Sequence, residues 1–76
     1  MKQIKLESNN VTMTLTAENL VVLNNGGSSR YLRSEDALGV LIDWVDYLVE
    51  LIPADPIVVK ADLRRVLSLV KEFTHV

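Results

Sequence analysis

SEDALGVLIDWVDYLVELIPADP, residues 34–56, decides the architecture of this chain. Placed at helical intervals, Ala37, Leu41, Trp44, Leu48 and Leu51 fall on one line. Leu38, Ile42, Val45, Val49 and Ile52 fall beside it, with Val40 and Tyr47 on the other flank. That period predicts a helix. Ser34 is a suitable N-cap, and Glu35 and Asp36 stand favourably at the positive end of the helix dipole. Pro53 stops the helix near Ile52. Apolar residues take more than half the circumference, a wider stripe than one sheet face requires. The helix is therefore expected to meet a sheet, a second helix and, in one reading, another subunit. The remaining sector holds Gly39, Asp43, Asp46 and Glu50, which form an acidic ridge.

Downstream, Asp55 followed by Pro56 matches an N-cap with proline at the first helical position, so a second helix is expected from Pro56 to about Phe73. Val58, Val59, Leu63, Val66, Leu67, Leu69, Val70 and Phe73 make its apolar half; Lys60, Arg64, Arg65, Ser68, Lys71 and Glu72 make the polar half. The short connection folds the two helices into an antiparallel hairpin.

Upstream the period changes to two. Ile4 and Leu6 share one face of an alternating segment, and Val11, Met13 and Leu15 alternate with Thr12, Thr14 and Thr16. Ser8-Asn9-Asn10 between them carries turn chemistry, since Asn tolerates left-handed backbone. Ala17-Glu18-Asn19 reads as a second turn before a strand over Leu20–Leu23, whose continuous apolar run suits an inner strand. Asn24–Ser29 contains Gly26-Gly27 and reads as the strongest turn, with Arg30–Arg33 returning as a short fourth strand. The expected fold is α+β: an antiparallel meander of three or four strands over residues 1–33, then a helical hairpin over 34–76 on its apolar face, in a single domain.

Composition narrows the function classes. The chain has 76 residues, no Cys and a hydrophobic fraction of 49% with few aromatics, so the core must come from Leu, Val and Ile. Absence of Cys removes disulfides, thiolate metal sites and a cysteine nucleophile. No apolar run reaches the length of a membrane span, and the amino-terminal residues alternate charge with apolar groups unlike a signal peptide; a cytoplasmic location is expected. The Asn10-Val11-Thr12 sequon therefore carries no expectation of glycosylation.

Catalytic constellations are missing. Asn25-Gly26-Gly27-Ser28 lacks the Lys-Ser/Thr of a phosphate loop and the spacing of a dinucleotide loop. Asp43, Asp46 and Glu50 are oxygen ligands of the kind Mg²⁺ or Ca²⁺ takes, but one exposed helix face lacks the convergence of a looped site, and a carboxylate acid–base pair needs a cleft that so short a chain hardly offers. His75, the single histidine, lies next to the end of the chain, where fraying is expected. No enzyme activity, cofactor or metal is expected.

Partners are a matter of charge. Residues 34–56 hold six carboxylates and no Lys or Arg, while the segments on either side each carry +2, giving the chain a net charge of −2. A line of carboxylates on a rigid helix can imitate the spacing of a nucleic-acid backbone and occupy a basic groove on another protein. The leading expectation is protein binding through Asp43, Asp46 and Glu50. A second is a homodimer through the wide apolar arc, including Val40 and Tyr47. A third is nucleic-acid binding by Lys60, Arg64 and Lys71, with Arg30 and Arg33 around Tyr31 as a further patch; the acidic balance of the chain opposes it. Thr12, Thr14 and Thr16 read as β formers facing water.

In size, acidic balance, absence of Cys and sheet-then-helices layout, the chain resembles the small inhibitor proteins of phages and other mobile elements, including many anti-CRISPR proteins. The resemblance implies binding to a host nuclease or surveillance complex without catalysis. It rests on no shared motif, so it assigns no residue.

Overall fold

A computed structural model describes residues 2–18 and 20–74. Four strands, β1 (Lys2–Lys5), β2 (Val11–Leu15), β3 (Val21–Asn25) and β4 (Ser28–Leu32), precede two helices, α1 (Ser34–Leu51) and α2 (Pro56–Thr74). The strands form one antiparallel sheet in the order β1-β2-β3-β4. This is the expected α+β meander and hairpin, with the fourth strand present.

The register sorts the side chains. Met13 stands opposite Ile4 on one side and Leu23 on the other, and Leu23 opposite Arg30, so these residues share the helix-facing side. Gln3, Thr14, Val22 and Tyr31 lie in one row on the opposite face. Thr14 there accepts a hydrogen bond from the Gln3 amide at 3.1 Å, and Thr12 and Thr14 are half-buried. Thr16, expected with them, lies past the end of β2, and its hydroxyl accepts the Leu20 N–H at 3.1 Å.

The strand limits near the glycines differ from expectation. Asn24, Asn25, Ser28 and Ser29 pair in register, leaving only Gly26 and Gly27 in the turn. Gly26 has φ +63° while Gly27 has no positive φ, the pattern of a type II′ hairpin turn. A two-residue turn frees its polar neighbours to join the ladder, whatever their strand propensity. At the β1–β2 turn, Asn10 takes φ +59°, the left-handed conformation expected of this segment.

Helix limits shift by a residue. Arg33, not Ser34, occupies the cap position of α1 with extended backbone, and its carbonyl accepts the N–H groups of Asp36 and Ala37 at 3.0 and 2.8 Å. Leu32 is buried and ends β4, so one residue must make the whole turn into the helix. At α2, the Asp55 carbonyl accepts the Val59 N–H at 3.1 Å, as an N-cap does ahead of Pro56.

Both helices lie on one face of the sheet. Leu6, Val11, Met13 and Val21 from the sheet side meet Ala37, Leu41 and Leu48 of α1 and Val59, Val66, Leu69 and Phe73 of α2 in one buried cluster. α2 packs against α1 and approaches β1. The result is a slab of 36 × 29 × 18 Å, with the sheet on one broad face and the helical hairpin on the other.

Candidate protein-binding face

Asp43, Asp46 and Glu50 are all exposed, on the sector of α1 turned away from Leu41 and Leu48. None forms an ion pair among the described residues. Their neighbours on the wheel are apolar and only partly covered. Val40 and Trp44 are half-buried, and Tyr47 remains 46% exposed. The Trp44 and Tyr47 rings, three residues apart on the helix, meet edge to face with centroids 5.6 Å apart and planes at 89°. That geometry fixes two large side chains relative to one another.

These residues border a groove between α1 and the edge strand β4. Arg30, Val40, Asp43, Trp44 and Tyr47 line an open space of about 430 Å³, and Tyr31, Leu32, Asp36 and Gly39 border its continuation. Arg30 is thereby placed on the helix side of β4, while Tyr31 is on the outer face and is 71% exposed. The expected patch of Arg30, Tyr31 and Arg33 is therefore divided, because strand alternation sends Arg30 and Tyr31 to opposite faces; Arg33 caps α1 with its carbonyl alone and stays exposed.

Lys60, Arg64 and Lys71 are exposed along α2, and Leu67, 52% exposed, interrupts their line. Arg65 does not join them. Its Nη1 donates to Asp62 Oδ1 at 2.8 Å, and its Nη2 lies 3.5 Å from Glu7 Oε1.

Asp62 is the group that sequence reasoning missed. Its side chain is fully buried, yet it lies on the same helix line as Val59, Val66, Leu69 and Phe73. Oδ1 also accepts the Glu7 N–H, and Oδ2 the Ser8 N–H, each at 2.9 Å. The turn after β1 thus closes on α2 through its backbone donors, over 54 residues of chain. Burial pushes the Asp62 carboxyl up, but hydrogen bonds from the Ser8 side chain, the Glu7 and Ser8 backbone and Arg65 outweigh it and hold the group below its ordinary value. The available signal was a carboxylate inside an apolar 3–4 spacing, a position tolerated only with dedicated partners.

Among the described residues, no cluster of three or more His, Cys, Asp or Glu side chains is placed to hold a metal ion. No helix among them is long and apolar enough to cross a membrane. His75 lies outside the described residues, as does Asn19 of the second expected turn. Comparison with protein-family models, curated proteins and solved structures finds no match in any of the three.

Proposed function

We propose that this protein is a non-enzymatic protein-binding module that presents α1 to a basic, nucleic-acid-binding surface of another protein, acting there as an inhibitor of the phage or mobile-element kind. The supporting observation is the adjacency on one helix of three exposed carboxylates, Asp43, Asp46 and Glu50, with no ion-pair partner among the described residues, and a preorganised, partly open aromatic pair, Trp44 and Tyr47. Protein interfaces concentrate binding energy in such aromatic anchors and surround them with a polar, solvent-accessible rim. Here the anchor would enter an apolar recess of the partner, and the carboxylates would take the sites that phosphates otherwise occupy.

The test is capture from a host lysate at low and moderate salt by the tagged protein and by a variant carrying Asp43→Lys, Asp46→Lys and Glu50→Lys, with circular dichroism confirming that both fold. The expected result is a nucleic-acid-binding protein retained by the first, lost by the second and released when DNA or RNA is added as competitor. Equal retention by both proteins would remove the ridge as the interface.

A further inference from the structure

The helical side of the slab is striped. Arg30 and the groove place the Val40, Asp43 and Tyr47 flank of α1 towards β4, and the contact with Glu7 places the Arg65 flank of α2 towards β1. The opposite flanks of the two helices therefore meet each other, with Val45 and Leu63 half-buried between them. Just above that seam, facing away from the sheet, stand Ile42 and Val49 of α1 and Leu67 of α2, exposed by 50, 49 and 52%. Asp46 and Glu50 border this apolar strip on the α1 side, and Lys60 and Arg64 border it on the α2 side. Neither row is ion-paired across the seam among the described residues. The outward face thus reads acidic, apolar, basic.

We infer that a second copy of this chain packs on this face, with a two-fold axis parallel to the helices, so that the acidic row of each α1 lies over the basic row of the other α2. Two arrangements bring the face onto itself squarely. An axis across the helices would stack α1 on α1 and set carboxylates against carboxylates. An axis along the helices exchanges α1 for α2, matches opposite charges twice and buries both apolar strips at the centre, as an isologous interface requires. Such an axis also keeps each residue at its level. Glu50 and Asp46 lie within about two turns of the connection at residues 52–55, and so do Lys60 and Arg64, so the charged pairs come into register.

Size points to a reversible dimer. An 18-residue helix is about 27 Å long, and two abreast make a face of roughly 540 Å² per copy at usual helix spacing. Both copies together bury about 1,100 Å², near the lower bound for a specific interface. The inference stands apart from the proposed function but shares Asp46 and Glu50 with it, so a basic partner and a second copy exclude one another. Tyr47 belongs to the groove alone.

The experiment is sedimentation equilibrium of the full chain from micromolar to millimolar concentration, with two folded variants, Asp46→Lys/Glu50→Lys and Lys60→Glu/Arg64→Glu. Wild type should pass from one chain to two as concentration rises. Each variant alone should dissociate at least about tenfold more readily, and the equimolar mixture should give a one-to-one heterodimer. Tyr47→Ser should associate like wild type. A wild type that stays monomeric throughout, variants that dimerise as well alone as mixed, or loss of association in Tyr47→Ser would each overturn the inference. If a variant does not fold, Leu67→Glu replaces it, and an unchanged dimer there counts against this face. Monomeric wild type that still captures a basic partner removes this inference alone; a dimer without capture removes only the proposed function.

Discussion

Asp62 and the ridge of Asp43, Asp46 and Glu50 are the same chemistry in opposite circumstances. Asp62 is buried and receives donors from two backbone groups and from Arg65. The ridge carboxylates stand in solvent with no ion-pair partner among the described residues. A buried carboxylate with saturated oxygens fixes one arrangement of the chain, because removing any partner strands the rest. An exposed carboxylate contributes little to stability and keeps its lone pairs for something outside. Folding draws on Asp62 and, under the proposed function, binding draws on the ridge, so a substitution in one set should leave the other's property nearly untouched.

The largest effect is expected at Asp62. Asp62→Ala leaves the Glu7 and Ser8 N–H groups without their acceptor and leaves Arg65 only its longer contact with Glu7, and should cost about 3–5 kcal/mol in chemical denaturation. For a domain of this length that is a large share of total stability. Asp62→Asn keeps the volume but turns an amide N–H₂ toward donors that need an acceptor, and should cost about 1–3 kcal/mol. A loss under about 0.5 kcal/mol in Asp62→Ala would mean that the turn after β1 is held by packing alone.

Acid gives a gentler test of the same group. The folded Asp62 carboxyl lies below its ordinary value, so the folded state binds its proton less readily than the unfolded chain does. Its contribution is therefore present in full above the unfolded carboxylate value, near 3.9, and is lost as pH falls through the lowered folded value. Denaturation midpoints of wild type and Asp62→Asn should be well separated at neutral pH and converge on acidification below about pH 4. A constant gap across that range would show that the hydrogen bonds to Asp62 do not favour its charged form.

What was legible in the sequence follows the same division. Alternation in Val11–Leu15, the wide stripe of α1, and Pro53 and Pro56 around the connection are local signals, and the elements they announce are present. The ridge is a local pattern too, because one helix presents all its members. Asp62 is not local. Arg65 is three residues away, but the backbone donors to Asp62 lie 54 and 55 residues away in the chain, and helix periodicity records only that a charge sits among apolar neighbours. Arg30 is non-local in a related way: which face of the sheet it takes is set by the register across Gly26-Gly27, and alternation along β4 then puts Tyr31 on the other face.

The smallest expected effect is at Gly39. Gly39 lies in the ridge sector with helical backbone, and a Cβ built there meets nothing within 4 Å beyond its own helix backbone and chain neighbours among the described residues. Glycine inside a helix costs about 0.5–1 kcal/mol relative to alanine, through the freedom its backbone loses on folding. Gly39→Ala should therefore raise stability by that amount, read as a higher denaturation midpoint at unchanged slope. Gly26 is the contrasting case: a Cβ there also meets nothing, but φ +63° makes alanine unfavourable in the turn. If Gly39→Ala destabilised instead, the added methyl would be clashing with part of the chain, and the ridge sector would not be free in the folded molecule.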